Sequence, residues 1–404
     1  MSTTLFPAIP LMANILQKLL SCLRNTTART NPPPSKTATT DCTTPHTAKD
    51  YRPNDTYHYL RHLTTSTEAD LAIIRSTRTR KLLVLKHTKP RAHRTSATDT
   101  YPSEARILLT TLQGANHPNL IQLFGAAEST APGSSPARWL LFLEYCSGGD
   151  LLDQLAHFMH MLPPHYESSA HLLLRAKPAE DIPTPHPPTT TAGGTCLVPE
   201  IFILHVFASL IKALTFLHND AAAAHEAVIH GDIKPDNILL RWPPHPTSRA
   251  LPTIVLADFG AAQLASQSRG VSGTPGYDSP EVHAVAQLQA TLPRTFAWWC
   301  GRRVMTPRSD VYQLGHVMHL LASFRPWPTG ADPATMALPK EFETGACRGV
   351  AATVAWCLAV EPGERPTAGG DLMPVAEVMG ERRDRLFEAR GALPGACWRE
   401  AVVL

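Results

Sequence analysis

The chain has 404 residues, 43% of them hydrophobic and 18% charged, with a formal net charge of +3 at pH 7. That is enough length for one large or two medium domains, and a charge so small, without a dense basic run and interleaved aromatics, excludes nucleic acid from the expected partners. The eight cysteines are scattered without paired short spacings, which points to reduced thiols in the cytosol or nucleus, and no apolar run is read as reaching the roughly 18 to 20 residues of a membrane span.

The first 40 residues hold Lys18, Arg24, Arg29 and Lys36 but no acid, and include an amphipathic stretch from Leu11 to Leu23. A disordered tail with one amphipathic helix is the expectation, with an organelle transit peptide as the alternative. "NPPPSKTATTDCTTPHTAKD" (31–50) reads as linker, because prolines and hydroxyl residues bury little apolar area. Residues 1–50 are therefore assigned to a tail and folded structure to Tyr51 onward.

From there "YHYLRHL", "DLAIIRS" and "KLLVLKHT" predict consecutive antiparallel strands. "PSEARILLTTLQ" switches to helical spacing, with Ala105, Leu108, Leu109 and Leu112 on one side, before "NLIQLFGA" and "RWLLFLEYC" return to strand. After Leu152 the character becomes helical, with "GDLLDQLAHFMHML" and then "PEIFILHVFASLIKALTFLHND", whose apolar density suits a buried helix. The 37 prolines, about twice the usual share, mark inserts. These are 162–198, 242–253 ("WPPHPTSRALPT") and 283–305, the last carrying Trp298, Trp299, Arg302 and Arg303 as a candidate docking surface for a partner.

"HGDIKPDN" (230–237) and "LADFGAA" (256–262) carry the chemistry. An Asp, a Lys two residues later, an Asn five residues later and a second Asp before Phe-Gly form the set that phosphoryl transfer requires. A carboxylate orients the nucleophilic hydroxyl and accepts its proton, and oxygen ligands hold Mg²⁺ on the triphosphate. Asp232 is the candidate base, Lys234 neutralises charge on the transferred phosphate, and Asn237 and Asp258 are candidate metal ligands.

On these motifs the sequence resembles the eukaryotic protein kinase family, whose loops read His-Arg-Asp-Leu-x-x-x-x-Asn and Asp-Phe-Gly. The resemblance runs from about Thr56 to about Leu372, with the motifs in family order. It implies an α+β bilobal fold: a small antiparallel sheet of five strands with one helix (N-lobe, about 51–144), and a mainly α-helical C-lobe (about 145–385), followed by a tail (386–404). It also implies ATP with Mg²⁺ in the cleft, and proteins as substrates. Lys234-Pro235 and "GTPGY" resemble the serine/threonine type.

Residue by residue, the resemblance gives Lys86 of "LLVLK" to the α and β phosphates and pairs it with Glu104. Leu63 and Leu71, which bound "LTTSTEADL", flank the nucleotide. Backbone groups of Glu144 and Cys146 meet the adenine edge, Leu143 lines the back of the pocket, and Asp150 meets the ribose hydroxyls. Thr274 of "SGTPGYDSPE" is expected near Asp232, Glu281 is expected to form a buried ion pair with Arg365, and Asp310 of "SDVYQLG" to hold the catalytic loop's backbone. His230 is read as a packing residue that supports Phe259 and Leu108 rather than as an acid or base.

Two positions depart from the family. Thr64, Ser66 and Ala69 stand where its phosphate loop has glycines, which weakens the close approach of backbone amides to phosphate. Gly231 stands where the family usually has an arginine that receives a phosphorylated activation-loop residue. The expected function is a protein serine/threonine kinase active without activation-loop phosphorylation; the alternative is a pseudokinase scaffold with weak nucleotide binding.

Overall fold

The computed structural model describes residues 55–66, 69–88, 103–112, 117–129, 138–160, 198–218, 226–243, 251–291, 304–324, 327–336 and 347–391, with 37–38, 338, 342, 393 and 397–398 besides. Its first part is an antiparallel sheet in the order β1-β2-β3-β4-β6-β5. The strands are β1 (Thr37–Ala38), β2 (Tyr57–Thr65), β3 (Ala69–Ser76), β4 (Leu82–Thr88), β5 (Leu123–Ser129) and β6 (Arg138–Glu144). Five strands were expected; the sixth is the two-residue β1, inside the stretch read as linker. It pairs with Tyr57 and His58 of β2, because an edge strand offers unpaired backbone groups to any extended segment nearby.

The two-residue alternation of the strands sorts their side chains. Tyr57, Ile74, Leu83, Phe124, Leu140 and Phe142 pack together as one cluster. On the other face the register sets Leu71 beside Lys86 and Leu141, and Ile73 beside Val84 and Leu143. That second face carries the lysine, and it joins the main core through Leu141 and Leu143.

Helix α1 (Ser103–Arg106) keeps α geometry for only one turn and then widens into a π-helical turn, Ile107–Thr111, closed by Leu112 N–H donating to Ile107 O at 2.9 Å. The wider turn shifts the buried face: Ala105, Ile107 and Leu112 are buried, whereas Leu108 and Leu109, expected on the inner side, are half-buried. "NLIQLFGA" is strand only from Leu123, since Leu120 and Ile121 leave the sheet to bond Leu256 of the helical part.

The second part is built on α2 (Leu151–His160), α3 (Glu200–Leu217), α4 (Pro280–Thr291), α5 (Pro307–Ser323), α6 (Val350–Cys357) and α7 (Met373–Arg390). Short strands β7 (Val228–Ile229), β8 (Ile238–Arg241), β9 (Thr253–Leu256) and β10 (Gln263–Leu264) pair as β7 with β10 and β8 with β9. With 18 residues and a mean hydropathy of 1.8, α3 meets the length and composition of a membrane span, contrary to the sequence reading. It is 72% buried over that window, packed against α7, α5 and β9, as the expected core helix would be. Burial of its Phe202, Ile203, Phe207 and Leu214 stabilises the fold by roughly 1.5–3 kcal/mol per side chain.

Two assigned boundaries move. α4 extends to Thr291, so the 283–305 insert begins inside a helix; Trp298, Trp299, Arg302 and Arg303 lie outside the described residues. α7 runs to Arg390, past the boundary at 385, and Trp398 of the expected tail packs edge-on against Phe202 and Trp242. The 162–198 insert is also outside the described residues, except for the buried Val198.

Candidate active site

Helix α5 positions the catalytic loop. Its start is fixed by Thr306 and Ser309 in a reciprocal cap with Pro307 at the first position, a combination that satisfies the free amides of a helix end. Asp310 is thereby held fully buried, and its carboxylate accepts the N–H groups of His230 and Gly231, both at 2.8 Å, and meets His218 Nε2 at 3.0 Å. Three residues on, and so on the same helix face, Gln313 accepts the Ile233 N–H at 2.9 Å and donates to Gly231 O at 3.2 Å. Asp310 was expected to hold this loop. Gln313 and His218 were not, although the i, i+3 spacing of Asp310 and Gln313 was a signal for the first.

His230 is completely buried, meets Ala257 O through Nε2 at 3.0 Å and packs edge-on against Phe259 at 4.9 Å between centroids. Its ring holds the two loops together, in keeping with a packing role.

The loop ends in a constellation around Asp232. Its Oδ2 accepts Lys234 Nζ at 2.9 Å and Asn237 Nδ2 at 3.0 Å, while Oδ1 is buried without a protein partner among the described residues. Asn237 Nδ2 also donates to Asp232 O at 2.8 Å, which fixes the amide and turns its oxygen away from Asp232. Lys234 Nζ reaches the Thr274 hydroxyl too, and this brings the segment after β10 over the loop, as expected for Thr274.

Asp258 adopts a left-handed backbone, φ 61°, so that its carboxylate folds back to cap the Phe259–Ala261 turn through Gly260 N–H. Its Oδ1 accepts Lys86 Nζ at 2.8 Å, and Lys86 also meets Glu104 at 2.7 Å. Burial alone would lower the Lys86 ammonium, but the two carboxylates outweigh it and hold the group above its ordinary value. Burial likewise pushes the Asp258 carboxyl upward, and Lys86 reverses that, so Asp258 stays below the usual carboxylate range. Lysine from β4, glutamate from α1 and aspartate from the β9–β10 connection thus meet across 172 residues of chain.

The remaining candidates are placed as follows. Leu71 is the cross-strand neighbour of Lys86, on the cleft-facing side of the sheet. Leu63 sits at an irregularity in the β2–β3 register and is 40% exposed, so nothing joins it to the other site residues. Cys146 is buried, with burial pushing its thiol well above the ordinary range, so the thiol is inert and the backbone is what it offers. The Glu144 side chain pairs with Arg241 at 2.6 Å, a tie between the strand leading out of the sheet and β8 that sequence reasoning did not find. Asp150 caps α2, accepting the Asp153 N–H at 2.8 Å, so a ribose contact would share its carboxylate with the cap.

Thr64, Ser66 and Ala69 have no positive φ, so none of these three positions needs glycine geometry. Ser66 closes the turn to Ala69: its N–H donates to Ala69 O at 2.9 Å, and its hydroxyl accepts the Ala69 N–H at 3.0 Å.

Gly231 does need to be glycine. Its φ is +76°, and a Cβ there would run into Met305 Cε. Met305, buried just before α5, also contacts Gln263 and Ser272 through its sulfur, while its carbonyl accepts the Ser268 hydroxyl at 2.9 Å. Glu281 and Arg365 form the expected ion pair, bidentate at 2.7 and 2.8 Å, with the arginine side chain fully buried.

The donor set suits a hard cation. Asn237 and the second oxygen of Asp258 are the oxygen ligands on offer, and Mg²⁺ characteristically takes one or two protein oxygens and completes its shell with phosphates and water. Among the described residues no group of three His, Cys, Asp or Glu side chains forms a self-sufficient metal site.

Comparison with known proteins agrees with this geometry. The family model for the protein kinase domain matches residues 191–372. The chain is 27% identical over 239 residues to the serine/threonine-protein kinase ATG1 of Debaryomyces hansenii, covering 56% of this chain and 22% of that one. It is 27% identical over 205 residues to atg1 of Schizosaccharomyces pombe, covering 46% and 19%, and 33% identical over 136 residues to the meiosis-specific serine/threonine-protein kinase MEK1 of Saccharomyces cerevisiae, covering 32% and 25%. The chain therefore spans a quarter or less of each of these relatives.

Proposed function

The chain belongs to the eukaryotic protein kinase family, serine/threonine type, and on that premise we propose that it transfers the γ-phosphoryl group of ATP to serine or threonine hydroxyls of proteins, without requiring a phosphorylated activation segment. The observation that carries the chemistry is the Asp232 carboxylate. One oxygen is held by Lys234 and Asn237 while the other, Oδ1, is buried and unpaired, which suits it to accept the proton of an incoming hydroxyl. Lys86, fixed between Glu104 and Asp258, is the cation for the α and β phosphates. Asn237 and Asp258 would hold Mg²⁺, which when bound draws charge off the phosphates. Lys234 offsets the charge that grows on the transferred group. Leu71 and the backbone at Glu144 and Cys146 would flank the adenine.

Independence from activation-loop phosphorylation is supported by Met305. The space that a side chain at position 231 would occupy holds this methionine, whose sulfur and carbonyl tie down Gln263, Ser272 and Ser268. A permanent packing contact stands where the family has a charge switch.

A scaffold reading is favoured by one observation, the Ser66–Ala69 turn, in which an amide that could cradle phosphate is already bonded. Phosphatase-treated protein incubated with labelled ATP, Mg²⁺ and a generic protein acceptor, beside Asp232→Asn, separates the two. Transfer by the wild type alone supports the kinase; thermal stabilisation by nucleotide with no transfer supports the scaffold.

A further inference from the structure

We infer that Trp398 is a positioning residue for the nucleotide: it fixes the Gly148–Asp150 segment, which connects the adenine-facing backbone to α2, an inference that rests on the kinase reading of the same site. Trp398 lies beyond residue 372, where the match to the family model ends.

The segment that leaves Cys146 runs along β8. Gly148 N–H donates to Leu240 O at 2.8 Å, Leu240 N–H donates to Gly149 O at 2.9 Å, and Asp150 stands opposite Leu239. The approach at Gly148 leaves no room for a Cβ, which would lie 2.8 Å from Leu240 O and 3.1 Å from Trp242 Nε1. Trp242, the residue after β8, therefore sits directly on the backbone of this segment. Its ring meets Trp398 edge-on at 5.1 Å between centroids, and Trp398 meets Phe202 edge-on at 5.4 Å. Phe202 is fully buried in α3 and packs in turn on Phe158 of α2 at 5.7 Å.

These contacts close a circuit. Asp150 caps α2, α2 returns through Phe158 and Phe202 to Trp398, and Trp398 reaches Gly148 through Trp242. A second tie runs beside it: Gln154, one turn into α2 and only 1% exposed, donates through Nε2 to Cys397 O at 2.8 Å. A buried amide needs an acceptor, so the residue before Trp398 is held on the helix that Asp150 begins. Edge-to-face ring pairs fix orientation as well as buried area. Removing the Trp398 indole opens the circuit and takes from Trp242 its backing by the core of α3. Asp232, Lys234 and Asn237 are held by α5 and by one another, so the loss falls on nucleotide binding rather than on the transfer step.

The test is calorimetric titration of the full chain with ADP and Mg²⁺, beside steady-state phosphate transfer, for the wild type, Trp398→Ala and Trp398→Phe. Trp398→Ala should weaken ADP binding and raise the KM for ATP by about fivefold, the loss expected for ring pairs of this kind, while kcat stays within about twofold. Trp398→Phe, which keeps a ring, should recover most of the affinity. A fall in kcat at unchanged KM would show a structural role only and overturn the assignment. Unchanged ADP affinity in Trp398→Ala, or a wild type that binds no ADP, would overturn it too. Weaker ADP binding in Trp398→Ala with no transfer by the wild type refutes the kinase reading and leaves the assignment standing; transfer by the wild type with ADP affinity untouched in the variant does the reverse. If Trp398→Ala fails to fold, Trp398→Leu, which keeps apolar bulk without an aromatic edge, carries the comparison.

Discussion

Asp278 is only 5% exposed, and burial with the like charge of Asp232 pushes its carboxyl up, a combination that has a consequence for stability. An unfolded aspartate titrates near 3.9, whereas in the folded chain this one is held up at about 7 by burial and by Asp232. The folded state therefore binds the proton more tightly, so the contribution of Asp278 is favourable at pH 4 and is lost as the pH rises through 7. Asp278→Asn should accordingly raise the melting temperature relative to wild type by more at pH 8 than at pH 5, and scanning calorimetry at the two values would show it; an equal difference at both would mean that the carboxyl ionises normally. Ser66 is the other residue with a separable role. Ser66→Ala leaves the Ser66 N–H to Ala69 O bond in place but frees the Ala69 amide. ATP should then bind about fivefold more tightly by calorimetric titration, equivalent to about 1 kcal/mol for one amide made available. Weaker binding in that variant would show that the closed turn is the competent one.

Between elements, the decisive contact is the catalytic loop against the segment Val304–Met305. Gly231→Ala meets two obstacles, a positive φ that costs an L-residue roughly 1–2 kcal/mol and the Met305 methyl. Met305→Ala removes only the second. Urea unfolding of the two single variants and the double should be non-additive by roughly 1 kcal/mol, with Gly231→Ala less harmful when Met305 is absent; strict additivity would show that Met305 does not occupy that place. Elements also show where sequence reasoning succeeded and where it ran short. The strands of the sheet and α3 were legible because alternation and apolar density are local signals. The π turn after Arg106 was not, since a single wide turn alters the buried face without altering the composition that announces a helix. Met305 was missed for a different reason: its partners, Gly231, Gln263 and Ser272, lie far from it in the chain, and a lone methionine at the end of an insert carries no motif.

At the scale of the molecule, two bodies share one site. The sheet contributes Lys86 and α1 contributes Glu104; the helical part contributes Asp232, Asn237 and Asp258. The link between the halves rests on Lys86 with Asp258, Glu144 with Arg241, and the Leu120–Leu256 bridge. Phosphate transfer requires both halves to close on one nucleotide, so it reads the whole account at once. Steady-state transfer from labelled ATP by phosphatase-treated wild type, Asp232→Asn and Met305→Ala is the most direct measurement. The account predicts transfer by the dephosphorylated wild type, a fall of about a hundredfold or more in Asp232→Asn with nucleotide binding retained, and a slower rate in Met305→Ala. A dephosphorylated wild type no faster than Asp232→Asn would contradict it.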